Sequence, residues 1–124
     1  MTHEKRSVPC YLRTQRRAWG LTQKEVAQLL NYRSASHVSR IEQSKRAPTV
    51  EAAFACQVIF GIPPGEMFPH TYTLVEDRVM RNVYRFHERL RNTTSPQEMR
   101  KRELLSQALQ RAITRPNLLK DHEA

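Results

Sequence analysis

Residues 21–46, LTQKEVAQLLNYRSASHVSRIEQSKR, contain two short helical patterns joined by a tight polar turn. In the first pattern, Thr22 is a favoured N-cap and Glu25 stands three residues later, as in a capping box. The apolar residues that follow have the spacing of a helix that buries one face: Val26, Ala27, Leu29 and Leu30. Asn31 tolerates a left-handed backbone, so we expect the helix to end there.

The second pattern begins after the turn, where Ser34 is expected to cap a helix in which Val38 and Ile41 point inward. Small and polar residues are then left on the outer face: Ala35, Ser36, Ser39, Arg40 and Gln43. Pro48 forbids a simple continuation of this helix. A helix whose outer face carries hydroxyls and an arginine is suited to contact a ligand.

Spaced motifs within and around this stretch agree with one another. The matching residues are Arg13, Arg16, Gly20-Leu21-Thr22-Gln23, Val26-Ala27, VSRIE at 38–42 and KRAP at 45–48. Together they resemble the lambda repressor and Cro type of helix-turn-helix domain, also called the XRE family, over residues 9–69. The resemblance implies an all-α domain of five helices that binds double-stranded DNA.

Two departures from the family pattern concern the turn. The family usually has glycine where this chain has Asn31, and the turn, counted from Asn31 to Val38, is one residue longer here. We expect the fold to tolerate both changes. The longer turn leaves open whether Ser34 or Ala35 takes the first position that faces a base.

The resemblance places four residues of the second helix against the major groove: Ala35, Ser36, Ser39 and Arg40. Arg40 is the leading candidate for a base contact because its planar fork matches O6 and N7 of guanine, and a phosphate contact is its alternative. The serines can donate to bases or to phosphates, and Ala35 can contact a thymine methyl group. His37 is expected to be a solvated surface residue, and a place beside the DNA backbone is its alternative.

Other residues are expected to contact DNA phosphates rather than bases. Gln23 lies at the start of a helix, where free N–H groups and the helix dipole attract anions, and the resemblance implies a phosphate contact by its amide. Lys45 and Arg46 follow the second helix and would clamp the backbone, with Arg33 in the turn as a further positioning residue. The alternative for each is ordinary solvation.

One charged pair is expected to be structural. In the family, an arginine seven residues before the glutamine pairs with a glutamate near the end of the reading helix, and these positions are Arg16 and Glu42 here. Such a pair would fix the reading helix to the scaffold. If it were exposed to solvent, it would add only about 0.2–1 kcal/mol.

Composition limits the remaining possibilities. A chain of 124 residues can hold one compact domain with an appendage, and a net charge of +9 with a pI near 10.3 favours a polyanionic partner. Cys10 and Cys56 lack the spacing of a metal site or disulfide framework, and only three glycines leave no phosphate-binding loop. We expect no cofactor, no metal and no enzymatic activity. The absence of a membrane-length apolar run and of an N-terminal signal segment favours the cytoplasm.

The chain around the two central helices is interpreted as follows. Residues 1–8 form a flexible basic arm that either reaches DNA or is a plain terminus, and residues 9–19 form the first helix. A fourth helix covers 49–60, and a short fifth helix covers 64–68. The fourth helix is expected to supply core contacts through five residues: Val50, Ala53, Phe54, Cys56 and Phe60.

Residues 70–124 are expected to form a two-helix extension. Residues 74–91 carry a heptad-like seam, Val79, Val83, Phe86 and Leu90, with arginines beside it. Ser95 and Glu98 form a second capping box for a helix that starts at Pro96 and ends near Arg115-Pro116. The resulting antiparallel hairpin can pack on the DNA-binding domain, bury its seam against a second copy, or bind another protein.

The sequence therefore predicts a sequence-specific DNA-binding transcriptional regulator, a repressor that binds a palindromic operator as a homodimer. Two-fold proteins match half-sites about one helical turn apart, which suits a small module that reads few base pairs. The alternative is an antitoxin or adaptor whose C-terminal helices bind a partner protein. A third possibility, nonspecific DNA coating, would show salt dependence without base preference.

Overall fold

The computed structural model describes residues 8–114, which are helical and contain no strand. The helices are α1 (Leu12–Ala18), α2 (Gln23–Leu30), α3 (Ala35–Glu42), α4 (Val50–Phe60), α5 (Pro64–Met67), α6 (Pro69–Arg89) and α7 (Pro96–Thr114). The predicted all-α class is confirmed. The described residues divide into two compact units, 8–73 and 74–114, and the boundary falls within α6.

The first unit has one hydrophobic core to which α1–α5 all contribute. The core residues come from both sides of the turn and from the segments before and after it: Cys10, Leu12, Val26, Ala27, Leu30, Val38, Ile41, Ala52, Cys56, Met67 and Phe68. Val38 and Ile41 are 0% and 1% exposed, so their predicted inward orientation is confirmed. Burial of this apolar surface is the main force that holds the five helices together.

Three apolar residues expected in the core lie on the surface. Leu29 is 49% exposed, because the buried arc of α2 is centred on Val26, Ala27 and Leu30. In α4, Val50 and Phe54 are 71% and 59% exposed. This helix is apolar on nearly all sides, so its sequence pattern could not select the face that packs inward.

The first helix begins at Leu12 rather than at Pro9. The preceding backbone is hydrogen-bonded to the end of the domain instead of continuing a helix: the Tyr11 N–H donates to the Met67 carbonyl at 2.9 Å, and the His70 N–H donates to the Pro9 carbonyl at 3.1 Å. Backbone groups that are already paired in this way do not need helical partners. This pairing ties both ends of the first unit together.

The helices α1, α2 and α3 end in the same way, with a left-handed residue and two backbone bonds of the Schellman type. The left-handed residues are Gly20, Asn31 and Ser44, with φ angles of 73°, 67° and 60°. The role predicted for Asn31 is confirmed. In α3, the Lys45 N–H donates to the Arg40 carbonyl at 2.9 Å, and the Ser44 N–H donates to the Ile41 carbonyl at 3.0 Å.

The starts of α2 and α3 differ. Thr22 and Glu25 form the full predicted capping box, with bonds of 2.9 and 3.0 Å. Ser34 takes the N-cap position of α3, but its hydroxyl makes no capping bond and lies 2.8 Å from the Ser36 hydroxyl. The capping bond expected of Ser34 is therefore wrong, while its position is right.

The second unit contains most of α6 and all of α7. Leu90, at 6% exposure, is the one fully buried residue among positions 74–114. Two polar contacts link α7 to α6 and to the turn after α6: His87 Nε2 lies 2.9 Å from the Ser106 hydroxyl, and Arg102 Nη1 donates to the Arg91 carbonyl at 2.9 Å. This hairpin therefore has only a small core of its own.

The ends of the two long helices differ in part from the prediction. Helix α6 begins at Pro69, before the expected residue 74, while α7 begins at Pro96 as predicted. The second capping box is half formed, since the Glu98 N–H donates to the Ser95 hydroxyl at 3.5 Å while the Glu98 carboxylate pairs with Lys101 at 2.8 Å. The predicted arm and the Arg115-Pro116 terminator lie outside the described residues, apart from Val8 at the end of the arm.

Candidate nucleic-acid interface

The helices α2 and α3 and the turn between them form one packed unit. Val26 and Leu30 of α2 and Val38 and Ile41 of α3 are all buried in the core of the first unit. The opposite face of α3 is left toward solvent. The packing of α2 thus fixes which side of α3 is available to a ligand.

The four residues predicted to contact bases lie together on that outer face. Arg40 and Ser36 are exposed, and Ala35 and Ser39 are half-buried. The Arg40 side chain makes no hydrogen bond or ion pair within residues 8–114. By contrast, the Ser36 hydroxyl contacts Ser34, and the Ser39 hydroxyl accepts from Gln43 Nε2 at 2.9 Å.

The last residue of α3, Glu42, is the centre of a buried polar network. Its side chain is 1% exposed, and its carboxylate accepts from Arg16 Nε at 2.6 Å and from Arg16 Nη2 at 3.1 Å. Two bonds from one planar guanidinium form a bidentate pair, the strongest common kind. Arg16 also donates through Nη1 to the Leu21 carbonyl at 3.1 Å. These contacts join α1, α3 and the segment before α2.

Gln23 also belongs to this network. Its Nε2 donates to Glu42 Oε1 at 3.1 Å, so one amide hydrogen is already used inside the protein. A second hydrogen on the same nitrogen remains for another acceptor. The sequence predicted a phosphate contact for Gln23 but missed this bond, which helps to fix the amide in place.

Three cations surround the outer face of α3. Arg33 lies in the turn before the helix, and Lys45 and Arg46 lie in the loop after it. All three are exposed, and their side chains have no ion-pair or hydrogen-bond partner within residues 8–114. The loop itself is held by the Schellman bonds at the end of α3. The surface around Arg40 is therefore positively charged and has few internal partners.

The sequence interpretation missed the role of Tyr32 in the turn. Its hydroxyl accepts from the Thr49 N–H at 3.1 Å, which ties the turn to the start of α4. The ring of His37 packs edge-on against Tyr32, with 5.6 Å between ring centroids. His37 is half-buried and its Nδ1 atom has no partner within the described residues, so the expectation of a solvated surface histidine is wrong. The only signal was an aromatic residue in a polar turn.

Arg13 lies near Glu42, a contact that the sequence did not predict. Its Nε atom lies 3.8 Å from Glu42 Oε1, although its side chain is 53% exposed. At that distance and exposure it adds positive potential near the network without a strong hydrogen bond. The carboxylate of Glu42 is thus faced by two arginines and an amide.

Two further features of residues 8–114 bear on the kind of site present. No group of three or more His, Cys, Asp or Glu side chains in this part of the chain is placed to hold a metal ion. Each helix in the same range is too short or too polar to cross a membrane.

The fold and the site together define a helical domain in which a helix, a turn and a second helix present a basic outer face. Residues 10–68 match the family model described as a helix-turn-helix domain. The match is consistent with the XRE-type resemblance seen in the sequence. Comparisons with curated proteins and with solved structures gave no significant match.

Proposed function

We propose that the protein is a sequence-specific DNA-binding transcriptional regulator, a repressor that occupies a palindromic operator as a homodimer. The main observation in support is the contrast between Arg40 and Glu42 on α3. Glu42 is buried and held by Arg16 and Gln23, whereas Arg40 is exposed without an internal partner. A fixed helix with an available guanidinium is what direct reading of a base requires.

The proposed roles follow from position on this surface. Arg40 contacts a guanine in the major groove, and Ser36, Ser39 and Ala35 make the weaker base contacts. The exposed cations Lys45, Arg46 and Arg33 bind phosphates and position the domain, as does the second amide hydrogen of Gln23. Arg16 and Glu42 act as the structural pair that holds α3.

Dimerisation is supported by the incomplete core of the second unit. In α6, Val75 and Val79 are 45% and 44% exposed, and α7 contains no fully buried residue. A second hairpin packed on these apolar faces would bury them, as helices do in a four-helix bundle. Two DNA-binding domains would then read two half-sites.

The test of specificity is selection of bound duplexes from a random pool with the full-length protein at near-physiological salt. We expect an inverted repeat with half-sites about one helical turn apart. With that site, Arg40→Ala should weaken binding by about 1–3 kcal/mol and lose the preference at one base position. Lys45→Ala is the matched control, because it should weaken all sequences alike and lower the salt dependence.

Three results would count against this proposal or one of its assignments. Recovery of no motif by a folded protein would exclude sequence-specific binding, and strong salt dependence without base preference would indicate nonspecific coating. An Arg40→Ala variant that keeps the full base preference would exclude Arg40 as the reading residue.

The exposed apolar faces of the second unit also support a second candidate function, that of an antitoxin or adaptor that binds a partner protein. Such surfaces commonly mark protein interfaces. The two candidates differ in solution. A regulator of the first kind is a dimer without other proteins, whereas an adaptor stays monomeric until it forms a complex of fixed stoichiometry through residues 71–124. Sedimentation of the purified chain distinguishes them.

A further inference from the structure

One face of α6 carries four exposed arginines that the helix-turn-helix surface does not include. They are Arg78, Arg81, Arg85 and Arg89, spaced three, four and four residues apart. At 3.6 residues per turn they fall within about 80° around the helix axis, and they extend along about 16 Å of its length. The apolar seam of the same helix lies on a different side, so both faces are available together.

These arginines have almost no internal partners. Arg78, Arg81 and Arg85 make no hydrogen bond or ion pair within residues 8–114. The Arg89 guanidinium lies 4.8 Å from the centroid of the Phe86 ring, which holds it near the helix without neutralising its charge. Like charges at i, i+4 on one helix repel one another, and a ligand of opposite charge would relieve that repulsion.

Acidic residues of α6 do not cancel the row. Glu88 borders the row but pairs with Arg91 at 3.4 Å rather than with one of its four arginines. Asp77 borders a shallow groove of about 500 Å³ that is also lined by Met80, Arg81, Tyr84 and Arg85. Tyr84 is 57% exposed there, and its hydroxyl is a further hydrogen-bond donor beside the arginines.

We propose that this arginine face of α6, Arg78, Arg81, Arg85 and Arg89, is a second contact surface for the phosphate backbone of duplex DNA. Duplex DNA carries one negative charge per about 3.4 Å along each strand, so a 16 Å row of cations can face several phosphates at once. Arginine side chains supply many of the phosphate contacts that position a protein on DNA without reading its sequence. The positive charge of α6 would then contribute to DNA binding separately from α3.

This proposal rests on the proposed function in one respect, since it takes duplex DNA as the ligand. The two proposals predict different effects on DNA binding. The α3 surface determines which sequence is bound, whereas the α6 face adds affinity that depends on salt and is nearly independent of sequence.

The test compares two full-length variants with the same change in charge. Arg78→Gln/Arg81→Gln/Arg85→Gln removes three cations from the α6 face. Arg100→Gln/Lys101→Gln/Arg111→Gln removes three exposed cations from α7 and serves as the control. Binding to the selected operator and to an unrelated duplex is measured over a range of salt concentrations, and circular dichroism checks that both variants are folded.

We expect the α6 variant to lower the slope of log affinity against log salt by roughly two to three for each bound chain, on both duplexes. The α7 control should lower it by less than one. Arg78→Lys/Arg81→Lys/Arg85→Lys should keep the slope near that of the wild type, because lysine still binds phosphate as a point charge.

Equal slopes for the α6 variant and the α7 control would overturn the proposal, since the arginines would then act only through net charge. Slopes of the α6 variant equal to those of the wild type would overturn it too and would favour an acidic protein as the partner of this face. Failure of the proposed function has a different signature: the operator and the unrelated duplex bind alike, whatever the slopes of the variants.

Discussion

Replacing Arg16 with methionine tests whether the Glu42 network fixes the reading helix. The substitution removes both hydrogen bonds from the guanidinium to Glu42, at 2.6 and 3.1 Å, and leaves a carboxylate that is 1% exposed with the Gln23 amide as its remaining close donor. Removing one partner of a buried ion pair costs about 3–5 kcal/mol. We expect about 3 kcal/mol, because the Arg16 side chain keeps 11% exposure and the pair is therefore less than fully buried.

Glu42→Gln should cost less, about 1.5–3 kcal/mol, because it removes a charge-assisted bond without leaving a buried charge. Arg16 is close enough to solvent to find water once the carboxylate is gone. Combining Arg16→Met with Glu42→Leu should lose less stability than Arg16→Met alone, since the buried carboxylate is removed together with its partner.

The assay is hydrogen exchange at the amides of Val38 and Ile41, which are buried in the first unit and report its opening separately from the second. Exchange should quicken by roughly a hundredfold in Arg16→Met, the equivalent of about 3 kcal/mol. A loss below about 1 kcal/mol would show that the pair behaves like an exposed surface pair, and the argument from burial would be wrong. Additive losses in the double variant would refute the account of the stranded carboxylate.

Two further predictions concern the backbone and a core thiol. Ser44→Gly should raise the free energy of unfolding by about 0.5–1 kcal/mol, because glycine adopts the φ of 60° without strain; urea denaturation measures the gain, and Gly20→Ala should give a loss of similar size. Burial raises the pKa of the Cys56 thiol from 9.0 to about 12. Between these values only the unfolded chain loses the proton, so stability should fall as pH rises above about 9, by at most about 1.4 kcal/mol per pH unit. Cys56→Ala should reduce that dependence in urea titrations at several pH values, and the rest should come from Cys10, whose pKa is also raised by burial.

The parts of the fold that the sequence predicted well are those governed by local chemistry. The Thr22 capping box, the stop at Asn31 and the proline at the start of α7 each depend on a few adjacent residues. The start of α1 could not be found in this way, because the backbone before Leu12 pairs with residues 67–70, which are far away in sequence. A pattern within one segment carries no information about such pairing.

Burial of individual side chains was harder to predict. The i, i+3 spacing grouped Leu29 with the core residues of α2. This eight-residue helix buries only a narrow arc of its surface, and Leu29 lies outside that arc. In α4, apolar residues occur on nearly every side, and two small residues, Ala52 and Cys56, take the buried positions. Small side chains allow close approach of the helix, which no hydrophobicity pattern predicts.

In the candidate site, the strength of the polar interactions could not be predicted from the sequence either. The sequence identified Arg16 and Glu42 through the family resemblance, but the strength of an ion pair depends on its burial, which only packing reveals. The contact between Gln23 and Glu42 also joins residues 19 positions apart, one at the start of α2 and one at the end of α3. Neither the exposure of a carboxylate nor its full set of donors can be read from the spacing of residues.

The longer turn left the register of the reading helix open, and the observed backbone narrows that question. Ser34 stands at the N-cap with extended backbone and Ala35 is the first helical residue, so Ser34 lies outside the regular helix. Arg40 then lies two residues before the buried Glu42 and within the Schellman bonds that end α3. Its backbone is thus among the most constrained on the outer face, while its side chain has no internal partner within residues 8–114. The backbone of Arg40 therefore needs no further ordering when the residue meets a ligand, and its guanidinium is available. The hydroxyls of the neighbouring serines already have partners, which favours Arg40 as the reading residue.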